Sequence, residues 1–501
     1  MKRYALLAFA FLAACSGGSS GGPPPVTNTP APIPSQFPAP SLANVQRISS
    51  DPFTNGDSEH ATEVEPAVAS SGSTVVAAFQ TGRFYTYGSS DIGIATSLDS
   101  GLTWQSTTLP GTTHYALPAG PYDSVSDPSV AYDARHASWL VVSLPVIFAS
   151  SGVPGVIVSH SPDGLSWSNP VSVTAPTQAD NDKSWIACDN HPASPYYGHC
   201  YVEWDNYSVP PAGLIDLAVS TDGGVTWSAS HHPQGSIGGM GGQPVVLPDG
   251  TVVVLIDSLD TTQLYAFTSH DGGASWSTPA LVQTITDHAV AGNLRYVPFV
   301  SAGVDAAGKI YAVWQDCRFR QNCSSNDLVM IASTDGVQWS TPARVPIDAT
   351  TSTVDHFLPG LAVDASTSGS GAHLGITYYS YSNAGCTASA CALSANFIAS
   401  QDGGATWGAP QLLAGPMNLS WLASTHLGQM IGDYTAATFA SGTPIAIAPL
   451  AAPNTSAALN EAIYVPKAGA VAMQSLVRRS SAGERPVPGA HSDHGPRRVI
   501  P

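Results

Sequence analysis

The chain has 501 residues, of which 43% are hydrophobic and only 10% charged, while glycine (47) and proline (41) are abundant. This composition is typical of a turn-rich β protein with a large core, and it argues against a mainly helical fold. The formal net charge of −18 argues against a phosphate-binding surface, so we expect no nucleic-acid partner.

The N-terminus has the pattern of a targeting segment. Lys2 and Arg3 precede a short apolar run that ends in LAAC, residues 12–15. This ending resembles the bacterial lipobox, which implies a signal peptide over 1–14 and a lipid anchor on Cys15; the alternative is a plain secretory signal with an incidental cysteine. Because serine follows the cysteine, the resemblance favours an exported lipoprotein of the outer membrane or cell surface.

Residues 15–43 follow as a tether that is rich first in glycine and serine and then in proline. Extended at ~3.1 Å per residue, it would reach on the order of 80 Å from the membrane. The last residues, 467–501, are again poor in hydrophobic residues, and we predict a disordered tail. The folded domain is therefore expected between residues 44 and 466.

A short turn motif recurs six times in this domain and sets its architecture. Its aspartates are spaced by 64, 59, 49, 64 and 67 residues, which suits four-stranded propeller blades with variable loops. The copies are SLDSGLTW (97–104), SPDGLSW (161–167), STDGGVTW (220–227), SHDGGASW (269–276), STDGVQW (333–339) and SQDGGATW (400–407).

The motif has the chemistry of a structural turn. Glycines tolerate a positive φ, the Asp carboxylate can accept hydrogen bonds from the next backbone N–H groups, and the Trp ring can fill the space between blades. We therefore expect structural roles for these residues: Asp99, Trp104, Asp163, Trp167, Asp222, Trp227, Asp271, Trp276, Asp335, Trp339, Asp402 and Trp407.

The strand pattern restarts once more at 428–440, but no turn motif and no fourth strand follow it. The isolated segment NVQRIS (44–49) can supply the missing strand and close the ring, which removes exposed sheet edges. The sequence thus predicts an all-β propeller of seven four-stranded blades, with six blades as the alternative.

Cysteine spacing agrees with export to an oxidising compartment. Apart from Cys15, the cysteines fall into three close sequential pairs, and local pairing predicts three small disulfide loops. Zinc binding is the alternative for the two shorter pairs, but no second CxxC or pair of histidines lies nearby. The predicted disulfides are Cys188–Cys200, Cys317–Cys323 and Cys386–Cys391.

The repeated S-x-D-G-G-x-T-W resembles the Asp box of the sialidase superfamily, also called the bacterial neuraminidase repeat, and covers the chain between 44 and 466. The resemblance implies a β-propeller that acts on glycans. Asp boxes also occur in propellers without known chemistry, so they point to the fold more strongly than to an activity.

Strand direction places a functional site on the face opposite the turn motifs, where first strands start and second strands end. Polar residues in those places fit sugar binding or hydrolysis. They are Glu65, Arg83, Asp127, Asp182, Lys183, Glu203, Asp205, Gln243, Asp257, Arg295, Asp316, Arg318, Asp327, His356, Tyr379, Tyr381, Gln429, Asp433 and Tyr434.

The segment 294–339 resembles the part of sialidases that opens with an arginine motif and ends in a catalytic aspartate. The resemblance implies Arg295 and Arg318 as carboxylate-binding arginines, with Arg83 or Arg320 as the third. It implies Asp327 or Asp316 as the acid. The family's Tyr–Glu nucleophile would be Tyr379 or Tyr381 with Glu203, chosen by strand position. The motif departs from the family, since it reads RYVP and lies in the fifth blade.

We therefore expect a surface-anchored, sialidase-like glycoside hydrolase, of the exo-α-sialidase type, that acts as a monomer. The alternatives are a non-catalytic propeller that binds glycans or a protein, and a scaffolding protein of the cell envelope. No cofactor is expected; a structural calcium ion would suit clustered carboxylates, but no spaced D-x-D-x-D-G loop supports one.

Overall fold

The computed structural model describes residues 37–150, 152–174, 180–235, 237–455, 458–467, 473 and 478–479. The predicted signal peptide, Cys15, most of the tether and most of the C-terminal tail lie outside the described residues. Within the described part, the regular structure consists of strands and four single-turn 3₁₀ helices: Phe148–Ser150, Gln321–Cys323, Gly369–Gly371 and Leu419–Trp421. None of the described helices is long and apolar enough to cross a membrane.

The first half of the chain forms sixteen of the described strands. They are β1 (Val45–Arg47), β2 (Glu59–Ser71), β3 (Thr74–Arg83), β4 (Ser89–Ser97), β5 (Gln105–Thr108), β6 (Ser124–Asp133), β7 (Ser138–Val146), β8 (Ile157–Ser161), β9 (Val171–Ser172), β10 (Asn181–Cys188), β11 (Cys200–Asn206), β12 (Leu214–Ser220), β13 (Gly239–Val246), β14 (Val252–Ser258), β15 (Gln263–Ser269) and β16 (Ala280–Thr284).

The second half continues the same up-and-down pattern. Its described strands are β17 (Leu294–Arg295), β18 (Ser301–Val304), β19 (Ile310–Asp316), β20 (Asp327–Ser333), β21 (Ala343–Arg344), β22 (Asp355–Val363), β23 (Leu374–Tyr381), β24 (Leu393–Ser400), β25 (Thr406–Trp407), β26 (Gln411–Met417), β27 (Ala423–Thr425), β28 (Gly428–Met430), β29 (Ala436–Ala440), β30 (Thr443–Ala451), β31 (Glu461–Pro466) and β32 (Arg478–Arg479).

The fold is an all-β propeller, and its ring is closed by the two ends of the chain. The N-terminal strand β1 pairs antiparallel with β31, with Val45 opposite Pro466 and Arg47 opposite Tyr464. This confirms the prediction that the isolated N-terminal segment completes the last group of strands. Closure in this way covers two strand edges that would otherwise be free to pair with another chain.

The number of separate blades differs from the prediction of seven, or six. Hydrogen bonding in the described residues gives five principal sheets: one of twelve strands (β1–β9 and β29–β31), β10–β12, β13–β16, β18–β21, and β22–β24 with β26. The twelve-stranded sheet arises because β31 bridges β2 at Thr62–Glu461 and β4 bridges β6 at Ser89–Val125. Sequence repeats cannot reveal such bridges, since each depends on how closely neighbouring strand groups approach.

Apolar residues of adjacent strand groups pack against each other to form the core. One cluster combines Val75 and Ala77 of β3 with Ile445 and Ile447 of β30, and Trp104 of the first turn motif packs against it. Alternation along each strand turns such residues toward the neighbouring group. The turn-motif tryptophan therefore contributes to contacts between groups, as its size suggested.

The motif STDGGVTW shows how each Asp box holds its own turn. Asp222 Oδ1 accepts hydrogen bonds from Ser220 Oγ (2.9 Å) and Thr226 N (2.9 Å), and Oδ2 accepts one from Thr226 Oγ1 (2.6 Å). Gly224 has a φ of 87°, and a Cβ there would overlap the Leu140 side chain of the preceding group. The glycine is thus needed both for the turn and for close packing.

All three predicted disulfides are confirmed. Cys188–Cys200, Cys317–Cys323 and Cys386–Cys391 are each bonded, across sequence separations of 12, 6 and 5 residues. The first joins β10 to β11, where the two cysteines are cross-strand partners. The bonds suit an oxidising, extracytoplasmic environment.

Candidate functional site

Five of the strands that begin a sequence repeat carry a β-bulge where they reach the central channel. These strands are β2, β6, β10, β13 and β22. The register shifts by one residue between Val64 and Ala67 in β2, and at the corresponding point in β6, β10, β13 and β22. Each shift has a residue with positive φ: Glu65 (53°), Asp127 (46°), Lys183 (50°), Gly241 (65°) and Leu358 (50°). A bulge re-aims a side chain, and a positive φ in a non-glycine residue is strained, which is common at functional sites.

Three of these bulge positions carry ionisable side chains, and they meet in one buried cluster with Arg295 and Asp433. Arg295 binds Asp433 through both edges of its fork, with Nε to Oδ1 at 2.8 Å and an η-nitrogen to Oδ2 at 2.5 Å. Lys183 Nζ lies 2.6 Å from Asp433 Oδ2 and 3.2 Å from Asp127 Oδ1. Glu65 Oε1 accepts a hydrogen bond from Asp433 N at 3.1 Å.

Burial and neighbouring charges shift the acids of this cluster in opposite directions. Burial alone would raise the pKa of Asp433, but the adjacent Arg295 and Lys183 charges bring it well below its usual range. Burial raises the pKa of Glu65 to about 8, and the neighbouring Asp127 and Asp433 carboxylates add to this. Asp433 is therefore ionised and Glu65 protonated at neutral pH, as expected when carboxyl groups share a small dry space.

The cluster stands between two cavities of the channel. The inner cavity has a volume of about 170 Å³, and its lining includes Lys183, Asp433, Tyr434, Trp185 and Phe299. The second, which we call the mouth pocket, has a volume of about 50 Å³. The mouth pocket is lined by Arg83, Thr86, Tyr87, Gly88, Ser126, Asp127, Leu144, Val146, Gly152, Val153, Asp180, Asn181, Asp182, Arg295, His426 and Leu427.

Two carboxyl groups of the mouth pocket have different surroundings. Asp127 is buried and paired with Lys183, and it also accepts a hydrogen bond from Ser126 Oγ at 2.8 Å. Asp182 is half-buried and lies next to Lys183 in the chain. Burial raises the pKa of Asp182 to about 6; the Lys183 charge opposes this and the carboxylate of Asp127 adds to it. One carboxylate is thus held by a cation while the other can carry a proton near neutral pH.

Two of the four predicted arginines line the mouth pocket. Arg83 is buried, and its guanidinium donates to Phe84 O (2.9 Å) and Gly88 O, with Nε 3.3 Å from Met430 Sδ. Burial lowers the pKa of Arg83 to about 10, and the charge of Arg295 contributes. Arg83 and Arg295 come from strands far apart in the chain, β3 and β17, so only the closed ring brings them together.

The other two predicted arginines and both predicted acids lie outside the cavities around the channel cluster. Arg318 pairs with the buried Asp316 at 2.6 Å and donates to the backbone of Thr284. Arg320 pairs with Asp327 at 2.5 Å. The structure therefore does not bring Arg318, Arg320, Asp316 or Asp327 to the mouth pocket, and their proposed roles stay predictions.

The predicted tyrosine and glutamate residues are also kept apart from the mouth pocket. Tyr379 is buried and donates a hydrogen bond to Pro449 O at 2.7 Å, and Tyr381 packs against Phe357 with ring centroids 4.9 Å apart. Glu203 is buried on β11 opposite Trp185. A Tyr–Glu pair at these positions does not face the arginines of the channel.

One group of described residues has metal-ligand atoms close together, namely Asp327, Asp348 and His356. Arg320 and Arg344 bind the same carboxylates, with Arg344 2.8 Å from Asp327 and 2.6 Å from Asp348. The two guanidinium ions already supply the positive charge that these carboxylates need. The group is an arginine–aspartate network, and a cation would have to displace those partners.

Strand direction predicts the face on which these residues lie, but the sequence indicates no individual role for Glu65, Asp127, Lys183, Asp433 or Tyr434. A usable signal was present for two of them, because Glu65 and Asp127 each precede a proline at the start of a first strand. Proline biases the residue before it toward a negative φ, so it does not predict the positive φ of Glu65 and Asp127; the recurring acid–proline pair marks only the position in the strand. Neither Asp433 nor Lys183 is followed by a proline, so this signal does not identify them.

Comparison with known proteins supports the turn repeat. A family model described as BNR/Asp-box repeat matches residues 218–229, which contain the motif around Asp222. None of the curated protein sequences matches the chain.

Several solved structures are similar to this chain at low identity. A Hadza microbial sialidase is 17% identical over 64% of this chain and 64% of its own, with a TM-score of 0.44, so the chain spans just under two thirds of that protein. The NanB sialidase from Streptococcus pneumoniae is 13% identical over 70% and 69% of the two chains, with a TM-score of 0.45. A Dyadobacter fermentans protein of unknown function is 16% identical over 72% and 100%, also at 0.45. Likeness at this level transfers no residue role. The chain is an all-β propeller that carries the BNR/Asp-box repeat.

Proposed function

We propose that the protein is a glycoside hydrolase, sialidase-like in architecture, whose site is the mouth pocket. The observation that carries this proposal is the pair of carboxyl groups Asp127 and Asp182, which line one pocket and differ in their surroundings. Glycosidases use two carboxyl groups in this way, one as proton donor and one as carboxylate. Two arginines beside them can donate hydrogen bonds to sugar hydroxyl or carbonyl oxygens.

In this proposal Asp182 is the proton donor. Its raised pKa of about 6 leaves part of the population protonated just below neutral pH, as a general acid requires. Asp127 is the carboxylate that faces the developing positive charge, and Lys183 holds it in place at 3.2 Å. Above this pKa Asp182 loses its proton and can no longer act as the acid. We therefore expect the rate of hydrolysis to rise as the pH falls toward 6.

The test is hydrolysis of a panel of fluorogenic glycosides that includes an α-sialoside. We expect turnover of at least one member, with a loss of at least 100-fold in Asp182→Asn and in Asp127→Asn. Arg318→Ala is the matched control, because Arg318 lies outside the mouth pocket. Absence of turnover across the whole panel, or an equal loss in Arg318→Ala, would contradict the proposal.

We also propose that the protein is anchored at the cell surface through Cys15. The lipobox-like LAAC and the tether support this placement, and the three disulfides fit an exported domain. Metabolic labelling with a fatty-acid analogue should mark the protein, and Cys15→Ser should abolish the label and release the protein from membranes. Labelling that survives Cys15→Ser would refute the anchor.

A second candidate is glycan or protein binding without catalysis. The observation in its favour is cavity size, since about 50 and 170 Å³ are below the ~300–1,000 Å³ of typical ligand sites. A partner would then lie across the mouth instead of entering it. Binding of glycans with no hydrolysis in the panel above would favour this function.

A further inference from the structure

The guanidinium fork of Arg295 is already occupied by a carboxylate of the same chain. Asp433 accepts from both edges of the fork, at 2.8 and 2.5 Å, and both side chains are buried. This bidentate geometry is the one by which arginine binds a ligand carboxylate. A ligand carboxylate could reach Arg295 only by displacing Asp433.

Lys183 of the cluster and Arg83 of the mouth pocket are committed as well. Lys183 Nζ is shared between Asp433 and Asp127, and its ammonium lies 5.7 Å from the Phe299 ring centroid. Arg83 directs one η-nitrogen to two backbone carbonyls and Nε to Met430 Sδ. Each cation therefore has partners within the chain, and binding an anion would cost those contacts.

Carboxyl groups outnumber cations around the mouth pocket. Asp127, Asp180 and Asp182 line it, against Arg83 and Arg295. Behind this lining Asp433 is paired with Arg295 and Lys183, which makes four carboxyl groups against three cations. Such a lining has no net positive potential, and the chain as a whole carries −18. A carboxylate brought into the pocket would lose hydration without gaining a free cation.

We propose that the sugar recognised at the mouth pocket is uncharged, and that Asp433 sets this specificity by occupying Arg295. The inference rests on the proposed recognition of glycans at this pocket and names their class. It predicts discrimination against uronic and sialic acids, although the arginines by themselves would suggest the reverse. Asp433 acts here as a specificity-determining residue that takes the place of a ligand carboxylate.

The first test uses the unaltered protein and two ligands that differ only in one group, a neutral amide or a carboxylate. Calorimetric titration at pH 7.5 with D-glucuronamide and with D-glucuronate should show at least tenfold tighter binding of the uncharged amide. Equal binding, or tighter binding of glucuronate, would overturn the inference. Failure of both ligands to bind at millimolar concentrations would overturn it too, because the pocket would then not recognise these sugar rings.

The second test changes the specificity. Asp433→Asn leaves Arg295 with a neutral partner, so the ratio of the two dissociation constants should move at least tenfold toward glucuronate. If this buried substitution prevents folding, Asp182→Asn removes one charge from the half-buried lining and should move the ratio about threefold the same way. Asp222→Asn changes the net charge equally on the opposite face and should leave the ratio unchanged. An unchanged ratio in the pocket variants would refute the role of these carboxylates.

The results separate this inference from the proposed hydrolase. Preferential binding of glucuronamide without hydrolysis of any glycoside would refute the hydrolase and retain the specificity. Hydrolysis of an α-sialoside or an aryl glucuronide in preference to aryl glycosides of neutral sugars would retain the hydrolase and refute the specificity.

Discussion

The two faces of the propeller use aspartate in opposite ways. On the turn face Asp222 accepts hydrogen bonds from Ser220 and Thr226, which are only a few residues away in the chain. Partial burial raises the pKa of Asp222, but these hydrogen bonds bring it below its usual value. At the channel Asp433 is buried, and its partners Lys183 and Arg295 are 250 and 138 residues away in the chain. Repeated residues stabilise local turns, whereas unrepeated residues join distant parts of the ring.

The channel face repeats the same β-bulge with a different side chain each time. The five bulges share their position and their positive φ, yet they carry glutamate, aspartate, lysine, glycine and leucine at 65, 127, 183, 241 and 358. One backbone device thus presents different side chains to a common centre. This difference between the faces explains why the Asp boxes identify the fold and the bulges locate the candidate site.

The largest expected effect comes from breaking the channel cluster. Arg295→Met leaves the buried Asp433 with Lys183 as its remaining cation, and removal of one partner of a buried ion pair costs about 3–5 kcal/mol. Urea denaturation measures the free energy of unfolding. Arg135→Met is the control, because Arg135 is exposed and donates to Tyr197 O at 2.8 Å; it should cost below about 1 kcal/mol. Equal losses of unfolding free energy in the two variants would show that the buried channel cluster stabilises the fold no more than an exposed arginine does.

A smaller effect is expected from pH, through the buried carboxyl group of Asp91 on β4. Burial raises the pKa of Asp91 to about 8, although bonds from Thr112 and Ile92 N lower it. Because the folded pKa exceeds the unfolded value of about 3.9, the folded state binds the extra proton between these values and stability falls as pH rises. Because of this extra proton on Asp91, the free energy of unfolding should fall by about 1 kcal/mol for each unit that the pH rises between 5 and 7.

The measurement is the free energy of unfolding at pH 5, 6 and 7, compared between the unaltered protein and Asp91→Asn. The variant should show a smaller decline with pH, since its amide does not titrate. Asp222→Asn, on the turn face, should not flatten the decline, because the bonds in its turn lower the pKa of Asp222. A decline that is the same in Asp91→Asn would show that this carboxyl group does not hold the proton.

The smallest expected effect is the loss of one Asp box. Asp222→Ala removes the hydrogen bonds from Ser220 and Thr226, but the turn is largely exposed, so we expect a cost of about 1 kcal/mol. If each box acts locally, the double variant with Asp402→Ala should cost the sum of the two single variants. A loss larger than the sum would show that the boxes cooperate around the ring.

Sequence patterns were sufficient for every feature whose partners are close in the chain. The turn motifs, the up-and-down strands and the pairing of Cys317 with Cys323 all depend on separations of a few residues. The closing strand at Val45 was also predictable, because the last group visibly lacked one strand. Sheet bridges such as Thr62–Glu461 were not, since they depend on the spacing of neighbouring groups.

The candidate site shows most clearly what the sequence could not predict. Strand direction by itself indicated the face, and it brought Arg83, Arg295 and Asp182 into consideration. The pairing of Arg295 with Asp433, and the separation of both from Arg318, depend on ring closure, register and the bulges in five first strands. These are long-range properties, and a one-residue difference in register turns a side chain to the other face. Tertiary structure therefore decided which charges meet, while the sequence determined the turns and strands that carry them.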